Sequence, residues 1–251
     1  MCELFGFSAS AAADVGEYLD EFFKHSEKNP HGFGLMLGDD RKIIKEPVKA
    51  TGSEVLRKTL GGINKQKTVL AHIRFATVGS VDSANCHPFS LCDSSGREWT
   101  MIHNGTIYTG RCTYKYFKVQ KGDTDSERLF LAFIDEMNAH LAKGELTDRQ
   151  RFDVVDEFVA HHSPRNKLNL IFYDGEYMYV HQNMKNTLGI TKLDDGVLIT
   201  TAPVCDKKWT PLPMTQLIAY KDGEEVFIGS KHEGEFIPNL EYITALDAMN
   251  I

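Results

Sequence analysis

From Lys167 onward the sequence is a succession of short apolar runs separated by turn signals, and this pattern constrains the fold more than any other feature. Residues 168–173, 177–181, 187–191, 197–201, 217–220 and 225–228 read as strands. Asp174-Gly175, Asp194-Asp195-Gly196 and Asp222-Gly223 fall between strands as hairpin turns. The first half adds strands at 3–8, 31–38, 42–46, 68–75, 87–92 and 98–103, with turns at Asp39-Asp40 and at 93–96. Helical spacing of apolar residues marks 14–24, through Val15, Leu19, Phe22 and Phe23. Further helices are expected at 52–63, 125–141 and 152–161. Strands and helices come in blocks, without β-α-β alternation. The expectation is an α+β fold of antiparallel sheets covered by helices. No repeat, low-complexity tract or Pro/Gly/Ser linker divides the chain, so a single domain over 1–251 is expected.

Charge and composition exclude several function classes. The 35 acidic and 28 basic residues give a net charge of −7 with no basic block, which leaves nucleic-acid or anionic-membrane binding without electrostatic support. No apolar run approaches the ~18 residues that span a bilayer, and the N-terminus lacks the order of a secretory signal. Cys2, Cys86, Cys92, Cys112 and Cys205 are odd in number and scattered, so a reducing cytoplasm fits better than a disulfide scaffold. Cys86, His87 and Cys92 match no standard zinc spacing, and neither a metal nor a cofactor is expected.

The chemistry-bearing candidates start at Cys2. Removal of Met1 would leave a thiol and a free α-amine on one residue, a nucleophile carrying its own base. An α-amine of pKa ~7.7–8.0 is roughly a tenth to a sixth unprotonated at pH 7, whereas a lysine amine is far less available. The alternative is a small apolar packing residue.

Arg74 ends the strand of Ala71-His72-Ile73-Arg74-Phe75-Ala76-Thr77, where a guanidinium can clamp a carboxylate in two parallel bonds. It reads equally as a solvated strand end or a structural ion pair. His72 reads as a hydrogen-bonded core histidine. In His103-Asn104-Gly105 an Asn amide and a Gly N–H can serve a developing oxyanion, although Asn-Gly more commonly marks a hairpin turn. Thr124-x-x-Glu127 fits a capping box and leaves Asp125 at the first helical position, where it can meet an ammonium. Together these residues suit a γ-glutamyl group, with its α-carboxylate, α-ammonium and attackable carbonyl.

Met1-Cys2, His31-Gly32-Phe33-Gly34, residues 71–77, Asn85-Cys86-His87-Pro88-Phe89, His103-Asn104-Gly105 and Thr124-Asp125-Ser126-Glu127 occur in an order and at separations that resemble the class II glutamine amidotransferases. The likeness is nearest to stand-alone bacterial members and covers residues 2 to about 130. It implies the N-terminal-nucleophile (Ntn) hydrolase fold, a four-layer αββα sandwich of two antiparallel sheets. It further implies Cys2 as nucleophile with its own amine as base, and Asn104 and Gly105 as oxyanion hole. Arg74 would bind the α-carboxylate, Asp125 the α-ammonium, and Thr77 would contact substrate. Two departures bear on substrate identity: Val78 stands where some members have histidine, and His31-Gly32-Phe33-Gly34 replaces Asp-Gly-Trp-Gly.

The expected activity is cleavage of a γ-glutamyl amide through a cysteine thioester. In one version glutamine supplies ammonia to a separate synthase subunit. In another the chain alone hydrolyses a γ-glutamyl peptide or conjugate. A non-catalytic γ-glutamyl-binding module is the alternative of a different class.

Overall fold

Alternation of apolar residues builds two antiparallel sheets in the computed structural model, which describes residues 1–38 and 40–238. The chain opens with β1 (Glu3–Ala13), α1 (Gly16–Lys24), β2 (Phe33–Leu37), β3 (Lys42–Glu46), α2 (Glu54–Gly61) and β4 (Gln66–Ile73). It continues with β5 (Phe89–Cys92), β6 (Glu98–Thr106), α3 (Asp125–Leu141), α4 (Asp148–His162), β7 (Lys167–Tyr173) and β8 (Met178–His181). The last strands are β9 (Gly189–Lys192), β10 (Gly196–Thr200), β11 (Thr210–Pro211), β12 (Ile218–Lys221) and β13 (Glu224–Ile228). One sheet runs β11-β9-β10-β1-β4-β2-β3 and the other β13-β12-β8-β7-β6-β5.

Three apolar layers hold these elements together. Phe5, Phe7, Leu35 and Val69 on the outer face of the first sheet meet Leu19, Phe22 and Phe23 of α1 and Leu56 of α2. Trp99, Met101, Leu170 and Phe172 on the outer face of the second meet Leu129 and Phe133 of α3 and Phe152 and Phe158 of α4. Leu4, Met36, Leu70, Ile102, Ile171 and Ile199 fill the space between the sheets. Burying each such side chain contributes about 1.5–3 kcal/mol relative to exposure. The result is the αββα sandwich expected above.

The differences from expectation have local causes. Strand β1 runs past Ser8 to Ala13 after a register shift, because Ser8-Ala9-Ser10-Ala11-Ala12-Ala13 has no alternation to read. Helix α4 starts at Asp148, well before Phe152. Thr147 Oγ1 accepts the Gln150 N–H at 3.3 Å and Gln150 Oε1 accepts the Thr147 N–H at 2.9 Å, a closed capping box on a polar first turn. The short β11 and the 3-10 segment Arg111–Lys118 carry no periodicity to anticipate them. Of the Asp39-Asp40 turn, Asp39 lies outside the described residues, as do 239–251 of the expected domain.

Asn104-Gly105 is not a hairpin turn. Both residues continue β6, opposite Asn169 and Leu168 of β7, and the ladder extends to Thr106 and Lys167. A neighbouring strand that supplies backbone partners overrides the local turn preference of the dipeptide. Among the described residues no helix is long and apolar enough to cross a membrane.

Candidate active site

Strand alternation selects which residues face each other between the sheets. Cys2 shares its face with Leu4 on β1, Asn104 with Ile102 on β6, and Lys167 and Asn169 with Ile171 on β7, and the three apolar residues all lie in the inter-sheet layer. At this end of the sandwich the layer becomes polar. Lys167 Nζ donates to Asn104 Oδ1 at 2.9 Å and lies 3.2 Å from Met1 Sδ, so it reaches across from one sheet to the other.

The Cys2 thiol is half-buried against the backbone after β4. Phe75 N–H donates to Sγ at 3.3 Å, and Sγ lies 3.4 Å from Phe75 O. Burial pushes the thiol above its ordinary pKa, while the Phe75 N–H and the positive charges of Lys167 and Arg74 pull it down.

The His31-Gly32-Phe33-Gly34 stretch braces this backbone. His31 N–H donates to Arg74 O, Arg74 N–H to Gly32 O, and Ala76 N–H to His31 Nδ1. Gly34 has a positional reason: a Cβ there would overlap the carbonyl of His87.

Arg74 is 3% exposed, so it is not a solvated strand end. Its recorded hydrogen bonds go to carbonyls, not to a carboxylate: Nη1 donates to Ser80 O at 2.8 Å, and Nη2 to Val78 O at 3.1 Å and Gly79 O at 3.3 Å. The guanidinium therefore shapes the 78–80 turn, and its charge reaches the Cys2 thiol. Asn85 and Asp123 hold the same turn from outside, with Ser80 N–H donating to the Asp123 carboxylate and Asp123 N–H to Asn85 Oδ1. Thr77 is exposed where this loop begins.

Asn104 is 2% exposed, and its Nδ2 has no hydrogen-bond partner among the described residues. Gly105 passes so close to β7 that a Cβ would overlap the Lys167 carbonyl, which explains why glycine stands there. Behind it, His103 Nδ1 lies 2.9 Å from Ser126 Oγ and Nε2 lies 3.2 Å from Lys167 O. The carbonyl can only accept, so Nε2 carries the proton and Nδ1 accepts from Ser126. Burial brings the His103 pKa down to about 4 and that of His72 down to about 3, so both rings are neutral near pH 7. His72 Nε2 bonds the His103 carbonyl at 3.2 Å, which makes it the core histidine expected.

Asp125 opens α3, and its Oδ2 accepts the Ile107 N–H at 2.6 Å just beyond the end of β6. Burial raises its pKa, and the Ile107 bond and the charge of Arg128 oppose that rise. A buried carboxylate in this condition gains from an added ammonium. Thr124 caps the helix as expected, accepting the Glu127 N–H at 3.2 Å. The other half of the capping box is not made. Glu127 instead accepts the N–H groups of Lys121 and Gly122 at 2.7 and 2.8 Å, because the preceding turn folds over it.

Lys167 thus links Asn104 on β6 to the neighbourhood of Cys2, and Arg74 is near enough for its charge to act on the thiol. Asp125 lies beyond the end of β6, and Thr77 is exposed in the loop after β4. Sequence reasoning missed Lys167 and Asn169. The available signal was Lys167 and Asn169 two apart at the start of the otherwise apolar Lys167-Leu168-Asn169-Leu170-Ile171-Phe172-Tyr173, which sets two polar residues on one face of a wholly buried strand. Asn169 accepts Asn183 N–H at 3.1 Å, and its Nδ2, like that of Asn104, has no partner among the described residues. Among those residues no three His, Cys, Asp or Glu side chains cluster as a metal would require.

Comparison with known proteins agrees with this fold. The family model for class II glutamine amidotransferases matches residues 1–193. A Haemophilus influenzae protein named "Putative glutamine amidotransferase" is 24% identical over 90% of this chain and 86% of its own length. The solved structure of a "predicted glutamine amidotransferase" from Pseudomonas aeruginosa superposes with a TM-score of 0.61 at 20% identity, covering 90% of this chain and 100% of that one. The glutamine phosphoribosylpyrophosphate amidotransferase of Bacillus subtilis gives 0.63 at 17% identity over 90% of this chain, which spans 48% of that longer one. Both structures share the Ntn hydrolase sandwich. A model match over most of the chain, on this fold, makes the protein a member of the class II glutamine amidotransferases.

Proposed function

We propose that the protein hydrolyses the γ-amide of glutamine or of a γ-glutamyl conjugate through a thioester on Cys2, once Met1 has been removed. The observation that carries this reading is the half-buried thiol turned toward the same inter-sheet layer as Asn104, whose buried Nδ2 has no partner among the described residues. A buried amide donor left unpaired costs about 1–3 kcal/mol, and an oxyanion forming opposite it offsets that cost.

The Cys2 α-amine takes the thiol proton, and the thiolate attacks the carbonyl carbon of the γ-amide. Asn104 Nδ2 and the Gly105 N–H receive the negative oxygen of the tetrahedral intermediate. The C–N bond then breaks, and the Cys2 ammonium returns its proton to the leaving amine. Water, deprotonated by the same amine, cleaves the thioester and releases the γ-carboxylate product with the thiol restored. Arg74 binds the substrate α-carboxylate, Asp125 the α-ammonium, and Thr77 lines the entrance. Ammonia produced from glutamine would pass to a separate synthase, whereas a conjugate would need no acceptor.

The test uses Met1-free protein, with intact mass recorded before and after an electrophilic glutamine analogue, alongside ammonia release from glutamine. A single adduct on Cys2 is expected, and Cys2→Ala should lower turnover by about four orders of magnitude or more. Near-wild-type turnover in Cys2→Ala, or full activity with Met1 retained, would overturn the assignment. Binding of glutamine without adduct or ammonia would make the protein a sensor.

A further inference from the structure

We infer that Lys167 is a positioning residue of this site: its ammonium locks the Asn104 carboxamide with Nδ2 turned toward the oxyanion, and sets a positive charge beside the Cys2 sulfur. The inference rests on the roles proposed above for Cys2 and Asn104.

The first argument is chemical. An amide side chain can turn end for end, and nothing in β6 alone decides which end faces outward. An ammonium has three donors and no acceptor, so the atom 2.9 Å from Lys167 Nζ has to be Oδ1. With Oδ1 engaged, Nδ2 points away from Lys167 and has no other partner among the described residues. A neutral residue in place of Lys167 would let the amide reverse and offer its oxygen to the oxyanion, where it would repel.

The second argument is electrostatic. Lys167 is 6% exposed, and among the described residues no carboxylate lies within ion-pair distance of it. Its recorded contacts are a neutral amide oxygen and the Met1 thioether. A buried ammonium without a counter-ion is unfavourable, and burial brings its pKa down to about 8, which the Cys2 sulfur opposes. A purely structural position would be better filled by an apolar side chain of the same length. The thiolate and the tetrahedral oxyanion are the negative charges this reaction generates here, and either compensates the lysine.

The third argument is placement. The Lys167 carbonyl is held by His103 Nε2, and the next N–H, of Leu168, donates to Asn183 Oδ1 at 2.7 Å. The side chain therefore leaves a backbone pinned on both sides. The charged or titratable groups near the thiol are Lys167 from β7, Arg74 after β4 and the buried Cys86 thiol before β5, with the chain's own N-terminus beside it; neutral His103 lies behind β6.

The experiment compares wild type, Lys167→Met, Lys167→Arg, Asn104→Ala and the Asn104→Ala/Lys167→Met pair, all Met1-free. It reads kcat and KM for glutamine, and the pH profile of Cys2 alkylation by iodoacetamide, followed at the Cys2 peptide by mass. Lys167→Met should lower kcat by about tenfold or more, approaching but not exceeding the 10²–10³-fold loss of an oxyanion donor. KM should stay within about threefold, since no substrate contact is removed. The alkylation midpoint should move to higher pH, and Lys167→Arg should recover most of both effects. In the Asn104→Ala background the same substitution should lower kcat several-fold less than in wild type. Lys167→Met with kcat within threefold and an unmoved midpoint would overturn the inference, as would losses that simply multiply with Asn104→Ala. A Lys167-dependent alkylation midpoint in protein that releases no ammonia would sink the glutamine reading and leave the role of Lys167 standing.

Discussion

Strand β6 joins two buried polar clusters that differ in one respect. In the turn between β5 and β6, the Asp93 carboxylate accepts five hydrogen bonds: from Ser95 N–H and Oγ, Arg97 N–H, Trp99 Nε1 and Arg151 Nη1. Burial would raise that carboxyl's pKa, but the bonds from Ser95 and Trp99 and the charge of Arg151 hold it below its ordinary value. At the other end of the strand, among the described residues, Asn104 Nδ2 and Asn169 Nδ2 on β7 lack partners, and Lys167 is buried without a carboxylate. The Asp93 carboxylate is saturated and ties a hairpin to a helix, although Arg151 Nε beside it has no partner among the described residues. An unsaturated group is unfavourable in the empty protein and becomes satisfied when a substrate fills the site. The difference lies in the carboxylate and amide groups themselves: Asp93 has its acceptors filled, whereas Asn104 keeps a free donor.

The comparison breaks most readily at Asp93. Asp93→Ala strands the 7%-exposed Arg151 side chain and should lower the unfolding free energy by about 3–5 kcal/mol in urea titration. Turnover per folded molecule should be unchanged. Loss of activity with unchanged stability would show that the two ends are not distinct in kind.

Asn104→Ala tests the opposite end. It should lower kcat by roughly two to three orders of magnitude, equivalent to about 2.7–4 kcal/mol of transition-state stabilisation. Its urea midpoint should fall less than that of Asp93→Ala, because one hydrogen bond is removed in place of five. A stability loss equal to that of Asp93→Ala, with intact turnover, would assign Asn104 to the scaffold.

Acid sharpens the contrast. The pKa values of His72, His103 and His181 are brought down to about 3, 4 and 3 by burial. These lie below the unfolded value of ~6.5, so the unfolded chain binds more protons as pH falls through that value. Stability is therefore fully present above pH ~6.5 and declines below it, by about 2 kcal/mol per histidine at pH 5. The Asp93 carboxyl titrates below this window and contributes nothing to the loss. Urea midpoints at pH 7 and pH 5 check the sign; equal midpoints would mean the rings are not buried neutral.

Much of the architecture could be read from the chain. Hairpin signals such as Asp174-Gly175 and Asp222-Gly223, with period-two alternation, anticipated the strands, and Leu19, Phe22 and Phe23 anticipated a helix packed on a sheet. Where alternation is absent the reading stopped, as in the small residues of β1 after Ser8 and the polar first turn of α4. Asn104-Gly105 shows the opposite failure: a strong local turn signal gave way to a ladder with β7, distant in sequence.

The order and spacing of short motifs determined the family and the candidates Cys2, Arg74, Thr77, Asn104, Gly105 and Asp125, because each motif is local and its chemistry is written in adjacent residues. Only the tertiary structure decided that Arg74 holds the carbonyls of 78–80, that Glu127 caps a turn and not its own helix, and that Lys167 meets Asn104. The last of these depends on residues 63 apart in the chain lying on neighbouring strands, and the other two on how local turns fold back. A lysine at the start of an apolar strand shows its charge in the sequence; whether a counter-ion awaits it is decided by what the fold brings to the other side.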